Sequence, residues 1–374
     1  MGTYSIMESP PGPETIIDGV SYLYFGGTSY LGLAGHPEVI EAGCEALHRF
    51  GVHSATTRSR FGTIPPVLEV ERRAAAFFGT EEAFYFSSGY VANHILISAV
   101  APRADAILID ESSHYCVMEA ARLPGLPIIS FHHYDPHDLE LKLHRWKRVV
   151  VMTDAVGPST GTIAPLNDYI QVLASCEQGH LIIDDAHGFG VLGEQGRGLF
   201  EELGFWSKVN GGSIDSKITL QVCGTLSKAL GGFGGVVPGT RDFVAQVRKA
   251  SHYFDGASAP ASGEAGATAK ALEIVKCNPS LRMRLRDNTF RLRAALRSMG
   301  LKVPEGLTAH FGVSIGNADN MRRIHQSLKS RGILLPYVGS YSGIPSEGIL
   351  RFAVFANHTP AQLDRLADEL RLLL

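Results

Sequence analysis

The sequence predicts an α/β fold in which a mostly parallel sheet is covered by helices, with a smaller α+β domain at the C-terminal end. Short apolar runs alternate with helical segments through the middle of the chain, and such runs are typical of strands buried on both faces. Several of them end directly in polar or glycine-rich residues, and ligands of these sheets bind at the carboxyl ends of the strands. The predicted strands cover residues 106–109, 127–131, 149–152, 181–183 and 220–223.

The segment before these strands is predicted to contain a helix over residues 37–50. Pro37 suits the first turn of a helix, apolar residues then recur near helical spacing, and Gly51 can end it. We expect the residues that precede this helix to form an arm.

The segment after the strands is predicted to be a small α+β domain. A long helical stretch rich in Ala, Leu, Arg and Lys follows Ser262 and is interrupted near Pro279. Strand-like runs at 311–315 and 350–355 then alternate with helices. The sequence therefore predicts an N-terminal arm with its helix, a large cofactor-binding domain and a small C-terminal domain, over residues 1–50, 51–260 and 261–374.

Composition limits the classes of function. The 374 residues are 45% hydrophobic, so the chain can bury a large core. Its 34 basic and 37 acidic side chains give a formal net charge of −3 without a basic cluster, which argues against a nucleic-acid partner. The five cysteines are widely spaced and include no Cys-x-x-Cys pair, so we expect a cytoplasmic setting. We expect neither a signal peptide nor a membrane span.

Lys228 is the first candidate for chemistry. It follows the predicted strand at 220–223 in a segment rich in glycine and hydroxyl residues, where the backbone can approach a ligand and hydroxyls can donate to a phosphate. An isolated Ser-Lys pair is more often a surface lysine at a strand-to-helix turn. A lysine amine that forms a Schiff base is, however, the first requirement of a site for pyridoxal 5'-phosphate (PLP).

Asp184 and His187 favour the PLP interpretation. Asp184 ends another predicted strand, where a carboxylate can pair with a protonated pyridine nitrogen and strengthen the ring as an electron sink. His187 could then meet the ring hydroxyl. The alternative for the Asp184-Asp185 pair is a strand-end cap or a metal ligand. No third acidic residue stands nearby in the sequence, which weakens the metal alternative.

Two further segments offer groups for the phosphate and for the face of the ring. The backbone N–H groups of Gly89 and Tyr90 stand at the start of a predicted helix, where anions bind. The alternative is simple capping of that helix by Ser88. His114 follows another strand and could stack on the cofactor, although a single histidine in such a loop is more often a solvated turn residue.

The segment from Gly188 to Gly193 matches the G-x-G-x-x-G pattern of dinucleotide-binding folds. Four residues separate it from the preceding apolar run, and no convincing amphipathic helix begins at its third glycine. We therefore interpret the segment as a loop that turns away from the site.

These segments, in this order, resemble the α-oxoamine synthase family of fold-type I PLP-dependent transferases, which have the aspartate aminotransferase fold. The resemblance extends from Tyr30 to Thr359 and is strongest at residues 86–93, 184–198 and 224–231. It implies a PLP-dependent acyltransferase that condenses an amino acid with an acyl-CoA thioester. It also implies a homodimer, because the family builds its active site at a subunit interface.

The resemblance implies a role for each candidate residue. Lys228 would carry the cofactor and later transfer a proton, Asp184 would pair with the pyridine nitrogen, and His187 would contact the ring oxygen. His114 would stack on the ring, and Arg351 would clamp the amino-acid carboxylate, a task that suits its bidentate geometry. Without the resemblance, Arg351 would be assigned to a solvated strand edge. The residues that would hold the phosphate are Ser88, Gly89, Tyr90 and Thr225.

The chain departs from the family pattern around the substrate. Ser29 stands where the family usually has an asparagine, and we assign it to substrate binding. Pro158 replaces a serine of the phosphate-side loop, and Val67 replaces a histidine. The glycine-rich stretch of the family appears as residues 53–58, and its hydroxyl-rich interface stretch is thinned at 256–260. The cofactor core is therefore retained, while the surroundings of the substrate and the thioester are altered.

Two alternatives follow from these departures. The same scaffold could carry a PLP-dependent aldolase, aminotransferase or decarboxylase, which the altered substrate loops would accommodate. The chain could instead be a non-catalytic partner subunit that keeps the fold for assembly. Such a subunit has no need of its lysine, so Lys228 together with Asp184, His187 and His114 argues against it.

Overall fold

The computed structural model describes residues 4–212, 214 and 217–374. Its strands are β1 (Glu14–Ile17), β2 (Val20–Tyr24), β3 (Glu82–Phe86), β4 (Ala106–Asp110), β5 (Ile128–Phe131), β6 (Arg148–Asp154), β7 (Gln178–Asp184), β8 (Ile218–Thr225), β9 (Gly235–Gly239), β10 (His310–Val313), β11 (Ile333–Leu334), β12 (Tyr337–Val338) and β13 (Ile349–Ala353). Its α-helices are α1 (Pro37–Phe50), α2 (Pro65–Phe78), α3 (Ala92–Val100), α4 (Tyr115–Arg122), α5 (Pro136–Leu143), α6 (Leu166–Leu173), α7 (Leu199–Glu202), α8 (Arg241–Ala250), α9 (Tyr253–Gly256), α10 (Ser262–Cys277), α11 (Ser280–Ser298), α12 (Ala318–Ser330) and α13 (Pro360–Arg371).

The central element is a seven-stranded sheet with the strand order β3-β9-β8-β7-β6-β4-β5. Neighbouring strands from β8 to β5 are parallel, whereas β9 is antiparallel to both β8 and β3. The five strands predicted from the apolar runs are β4 to β8, so the mostly parallel sheet is confirmed. The structure adds β3 and β9, which the sequence reasoning did not assign.

Both faces of this sheet are covered, which explains why its strands are apolar throughout. Val150 and Met152 belong to a core cluster with α3, α4 and α8, whereas Val149 and Val151 belong to the core on the opposite side. Successive side chains of a strand point to opposite faces. Every position of a doubly covered strand therefore needs an apolar residue until the strand reaches the edge where ligands bind.

Helix α1 begins at Pro37 and ends at Phe50, as predicted. Gly51 follows it with φ 71°, and its N–H donates to the Leu47 carbonyl. The helix packs closely against α10, because a Cβ added at Gly43 would lie only 3.1 Å from the Gly263 carbonyl oxygen. Glycine at that position therefore permits the two helix backbones to approach each other.

The residues before α1 form a hairpin rather than the expected arm. Strands β1 and β2 pair antiparallel, and β2 also pairs in parallel with β11 from the C-terminal part of the chain. The hairpin is held there because Tyr22 and Leu23 are buried in the main core. The division into three domains stays a prediction, but the first segment contributes two strands to a sheet that includes the last segment.

The C-terminal part has the predicted α+β character. Helix α10 ends at Cys277 and α11 begins at Ser280, so the helical stretch is interrupted beside Pro279. The runs at 311–315 and 350–355 correspond to β10 and β13, which are neighbours in an antiparallel sheet with the order β10-β13-β12. In the described part of the chain, no helix has both the length and the apolar character that a membrane crossing requires.

Candidate functional site

A cavity of about 280 Å³ lies at the carboxyl ends of β6, β7 and β8. Each of these strands leaves its apolar run at this edge and ends in a polar residue, so three strand ends supply side chains to one space. The position is the one that the sequence predicted for a ligand site. Its lining includes Ser88, Gly89, Tyr90, His114, Cys116, Asp154, Pro158, Asp184, His187, Thr225, Ser227 and Lys228.

Lys228 reaches this cavity from the turn that follows β8. Its Nζ lies 3.1 Å from Nε2 of His187. Burial lowers the pKa of the Lys228 amine, and the carboxylates of Asp184 and Asp154 offset only part of that effect. The alternative of an ordinary surface lysine does not fit this position. The amine has the environment that a nucleophilic or proton-accepting lysine needs.

Asp184 is a buried carboxylate, only 5% exposed. Its Oδ2 accepts a hydrogen bond of 2.6 Å from Nδ2 of Asn93, and its Oδ1 accepts one of 3.0 Å from the backbone N–H of Ala186. Among the described residues, no lysine, arginine or histidine forms an ion pair with it. A buried carboxylate without a cationic partner is costly, so the site suits a cationic group from a ligand.

Asp185, the second acid of the pair, has a different use. Its Oδ2 accepts a hydrogen bond of 2.6 Å from the backbone N–H of Leu199, at the start of α7. Burial raises its pKa to about 7. The two adjacent acids are therefore divided, with Asp184 in the cavity and Asp185 anchoring the loop that leads to α7. The described residues contain no cluster of three or more side chains suited to a metal ion.

Glycines at both ends of this loop, of which Gly188 belongs to the G-x-G-x-x-G pattern, make room for the Asp185 side chain. A Cβ added at Gly188 or Gly198 would lie 2.0 Å from a carboxylate oxygen of Asp185, so glycine is needed where the loop wraps around that side chain. Residues 185–198 are all described and contain no helix, which confirms the prediction of a loop. The helix that a dinucleotide site requires at the third glycine is missing from that stretch.

His187 belongs to a buried chain of polar groups that the sequence reasoning did not foresee. Its Nδ1 lies 2.9 Å from the hydroxyl of Tyr30, which lies 3.1 Å from Nδ1 of His310. Nε2 of His310 lies 3.0 Å from the carbonyl oxygen of Gly157. Burial lowers the pKa of both histidines well below the ordinary value and raises the pKa of Tyr30 to about 12. Both imidazoles are therefore neutral near pH 7.

His114 caps α4 rather than standing in solvent. Its Nδ1 accepts a hydrogen bond of 3.2 Å from the backbone N–H of Cys116, and the backbone N–H of His114 donates to Oδ2 of Asp154 at 2.7 Å. These contacts fix the ring at the cavity wall, and burial lowers its pKa. The structure therefore brings His114 to the site, although the solvated-turn alternative was the commoner one for such a loop.

Asp154 is a cavity residue that the sequence reasoning missed. It ends β6, and burial together with the nearby Asp184 carboxylate raises its pKa well above the ordinary value. The signal was present, because the run at 149–152 passes directly into polar residues, as the run before Asp184 does. Cys116 and Ser227 also line the cavity without having been assigned to it.

At the corner expected to bind the phosphate, Ser88 caps the helical turn, which was the alternative that the sequence left open. Oγ of Ser88 accepts a hydrogen bond of 3.2 Å from the Tyr90 N–H, and a short 3₁₀ turn precedes α3. Gly89 lies against Thr225, because a Cβ added there would be 2.5 Å from Cβ of Thr225. The hydroxyls of Thr225 and Ser227 are 2.7 Å apart, so two strand-end hydroxyls and a glycine backbone share this corner.

Arg351 and Ser29, the two predicted substrate-binding residues, do not line the cavity itself. Arg351 lies on β13, the middle strand of its sheet, and donates to the Gly27 carbonyl at 3.1 Å and to the Tyr30 hydroxyl at 3.3 Å. It is therefore connected to the cavity through Tyr30 and His187. Ser29 is buried, and its hydroxyl has no hydrogen-bond partner among the described residues.

Two of the departures from the family pattern lie outside the cavity. Val67 is buried in the core on α2, and no residue of the altered stretch 53–58 lines the cavity. Pro158, in contrast, lines the cavity directly. The change at Pro158 therefore alters the site, whereas the one at Val67 does not touch it.

The residues present fit PLP. The lysine amine can hold the aldehyde carbon, the unpaired Asp184 carboxylate suits a protonated pyridine nitrogen, and the hydroxyl-lined corner suits a phosphate. His187 and His114 line the same cavity. These groups belong to one cavity, as the prediction required.

Comparison with known proteins agrees with this fit. The family model for aminotransferase class I and II matches residues 22–370. The chain is 33% identical over 359 residues to 8-amino-7-oxononanoate synthase of Trichlorobacter lovleyi, which covers 94% of this chain and 89% of that protein. It is 31% identical over 363 residues to 8-amino-7-oxononanoate synthase 2 of Bacillus subtilis, with 96% and 90% covered.

Solved structures show the same likeness. Serine palmitoyltransferase of Sphingomonas wittichii superposes with a TM-score of 0.89 at 27% identity, covering 99% of this chain and 91% of that one. Serine palmitoyltransferase of S. paucimobilis, in a lysine-to-alanine variant with a bound PLP–myriocin aldimine, gives a TM-score of 0.88 at 26% identity, covering 99% and 92%.

Proposed function

The chain belongs to the aminotransferase class I and II family and, within it, to the α-oxoamine synthases, and we propose that it condenses an amino acid with an acyl-CoA thioester. It is a PLP-dependent transferase. The observation that carries the proposal is the cavity at the ends of β7 and β8, where Lys228 and the otherwise unpaired carboxylate of Asp184 line one space.

Eight residues would hold and orient the cofactor. Lys228 would bind it covalently, Asp184 would pair with the ring nitrogen, and His187 would contact the ring oxygen. His114 would lie against the face of the ring, and Thr225 would bind the phosphate together with Ser88, Gly89 and Tyr90. When bound, PLP supplies an electron sink that makes the α-carbon of an amino acid acidic and nucleophilic.

The protein's own groups manage the proton. Burial lowers the pKa of the Lys228 amine, which favours its neutral form, and a neutral Nζ can accept the α-proton of the amino acid. His187, at 3.1 Å, presents a neutral ring nitrogen to the same Nζ. The amine therefore has a neutral hydrogen-bonding partner that adds no charge beside it.

Arg351 is proposed to bind the carboxylate of the amino acid. Its guanidinium uses one N–H for the Gly27 carbonyl and another for Tyr30, and its remaining donors can form a bidentate contact. Ser29, whose buried hydroxyl has no partner among the described residues, is proposed to contribute to the same region.

The direct test is release of free CoA thiol from an acyl-CoA when an amino acid is added. Purified chain loaded with PLP is incubated with a panel of amino acids and a panel of acyl-CoAs, and thiol release is followed together with the visible spectrum. We expect release that requires both substrates and is lost in Lys228→Ala. PLP binding with spectral changes on adding amino acids, but no thiol release across the panel, would favour an aldolase, aminotransferase or decarboxylase.

We also propose that the protein acts as a homodimer in the cytoplasm. The family resemblance supports the dimer, and Phe233 and Tyr90 support it further because they line the cavity while 48% and 41% exposed, as expected where a second subunit completes a site. The five cysteines, all unpaired, support a reducing compartment. Sedimentation of the PLP-loaded protein tests the dimer, and a monomer that remains active would contradict it.

A further inference from the structure

We propose that His310 is a positioning residue that fixes the tautomer of His187, so that His187 directs a lone pair rather than a proton at Lys228. The assignment follows from counting donors and acceptors along the buried chain from Gly157 to Lys228. The tautomer depends only on the protein's own contacts, while its consequence for catalysis rests on the proposed function.

The chain of contacts has a fixed end at Gly157. A backbone carbonyl can only accept, so Nε2 of His310, 3.0 Å away, must carry a proton. His310 is completely buried, with Arg351 and Lys228 as positive neighbours, and these conditions keep the imidazole neutral. Its other nitrogen, Nδ1, is therefore an acceptor.

Tyr30 passes the order of donors and acceptors from His310 on to His187. Its hydroxyl has one proton, which it donates to Nδ1 of His310 at 3.1 Å. The Tyr30 oxygen then accepts from Nη2 of Arg351 at 3.3 Å and from Nδ1 of His187 at 2.9 Å. One donor and two acceptor positions are all used, so every group in the chain is satisfied.

His187 is the last group of this hydrogen-bonded series and contacts the amine of Lys228. With Nδ1 protonated and the ring neutral, Nε2 carries a lone pair that faces Nζ of Lys228 at 3.1 Å. His187 can thus accept a hydrogen bond from this amine. Toward bound PLP, Nε2 of His187 would accept a hydrogen bond from the ring hydroxyl. It would have no proton to donate to the ring oxygen.

Without His310, the direction in which the Tyr30 hydroxyl donates its hydrogen bond is no longer fixed. The Tyr30 proton could then turn to Nδ1 of His187, which would place the histidine proton on Nε2, facing Lys228. Packing alone does not set the tautomer, although the rings of His310 and Tyr30 are nearly parallel at a centroid distance of 5.8 Å. A phenylalanine would keep that ring contact and remove both nitrogens, whereas a glutamine amide can supply one donor and one acceptor.

The test reads the tautomer directly. The full chain, with ¹⁵N-labelled histidine side chains, is compared as wild type, His310→Phe and His310→Gln by long-range ¹H–¹⁵N correlation spectra, both PLP-free and PLP-loaded. The His187 signals are identified from their loss in His187→Asn. We expect Nδ1–H in the wild type and roughly a fivefold or larger shift toward Nε2–H in His310→Phe, the size that one lost hydrogen bond produces. His310→Gln should return the wild-type pattern.

A double variant separates the relay from general disturbance. In Tyr30→Phe there is no hydroxyl proton to redirect, so His310→Phe should cause no further shift in that background. An equal shift with and without Tyr30 would overturn the proposal. So would an Nε2–H tautomer of His187 in the wild type, a result that does not depend on any variant folding.

A second readout uses the cofactor spectrum. At one fixed pH, the visible absorbance of bound PLP should change in His310→Phe and return in His310→Gln, while circular dichroism stays the same. Absence of thiol release would count against the proposed function and leave the tautomer result standing. If His187 carried its proton on Nε2 while thiol release was normal, the result would count against the positioning role of His310 and leave the proposed function standing.

Discussion

Nδ2 of Asn93 donates a hydrogen bond of 2.6 Å to Oδ2 of Asp184, so a residue of α3 holds the carboxylate that ends β7. The sulfur of Cys223 lies 3.5 Å from the amide oxygen of Asn93, which is consistent with the amide nitrogen facing the carboxylate. The group proposed to pair with the cofactor ring is therefore oriented by a residue from a different element.

The first prediction follows from this contact. Asn93→Ala removes a hydrogen bond to a charged group, which contributes about 1.5–3 kcal/mol, so the dissociation constant of PLP should rise at least about tenfold. Absorbance titration of the PLP-free chain measures it. Ser98→Ala, which removes a hydroxyl from the same helix outside the cavity, is the control and should bind as the wild type does. Equal affinities for the two variants would contradict the role of Asn93.

The second prediction concerns covalent attachment at Lys228. Borohydride reduction of the PLP-loaded protein should add the mass of the reduced cofactor to the peptide that contains Lys228. Lys228→Ala should show no such addition, and Lys249→Ala, an exposed lysine on α8, should be labelled as the wild type is. Labelling of Lys228→Ala at another lysine would show that the assignment is wrong.

The third prediction concerns Arg351. Arg351→Gln keeps a hydrogen-bonding side chain but removes the charge and the bidentate geometry, so KM for the amino acid should rise about tenfold to a hundredfold. KM for the acyl-CoA should stay nearly constant. The control is Arg291→Gln, which breaks an exposed ion pair with Asp364 far from the cavity. A larger effect on the acyl-CoA than on the amino acid would place Arg351 at the other substrate.

The fourth prediction concerns stability and pH. In His358, Nδ1 accepts from the Phe355 N–H at 2.9 Å and Nε2 lies 3.1 Å from the Tyr24 carbonyl, so only the neutral ring fits. Burial lowers its pKa to about 4, below the value of about 6.5 in an unfolded chain. The unfolded state therefore binds the extra proton between these pH values, and stability falls as pH falls, by up to about 3 kcal/mol at pH 4.

The measurement is the free energy of unfolding by urea at several pH values. His358→Gln should weaken the loss of stability between pH 7 and pH 5, whatever its effect on stability at pH 7. His137→Gln, an exposed histidine on α5, should leave the pH dependence as in the wild type. If the unfolding free energy of His358→Gln depended on pH as strongly as that of the wild type, His358 would not be the cause of the pH dependence.

The fifth prediction concerns the buried pair of Arg58 and Glu71. Glu71 accepts from both guanidinium nitrogens and from the Tyr85 N–H, at 2.7, 3.0 and 3.1 Å. Glu71→Ala leaves the Arg58 charge buried near its remaining neighbours and should destabilise the fold by about 3–5 kcal/mol. Thermal and urea unfolding measure the loss. Glu69→Ala, which breaks more exposed pairs on the same helix, should cost less than about 1 kcal/mol.

The central sheet and the two most informative cavity residues could be predicted because both depend on local sequence. A strand buried on both faces must be apolar, and the residue at which the apolar run stops marks the ligand edge, which identified Asp184 and the turn before Lys228. The same rule identifies Asp154, which the sequence reasoning passed over. The hairpin at residues 14–24 was missed although its turn is a local signal. Asp18 and Gly19 join its two strands with φ of 51° and 75°, and Asp-Gly is typical of such a two-residue turn. Only the pairing of β2 with β11 depends on a partner far along the chain.

The contact of Tyr30 with His310 could not have been predicted in this way. The two residues are 280 positions apart and meet through the docking of β10 against the N-terminal segment. Nothing in the residues around His310 distinguishes a strand histidine at the site from one in an ordinary core. Only the three-dimensional contacts, which no local pattern encodes, assign it to the chain that ends at Lys228.

The pairing of β2 with β11 has a consequence for synthesis of the chain. Leu23 leaves the ribosome roughly three hundred residues before its partner Ile333. One edge of the N-terminal hairpin therefore stays open while the large sheet forms, and open strand edges invite pairing with other molecules. Closure of that edge requires synthesis to continue through β11, so a product that stops before β11 would carry a permanently open strand.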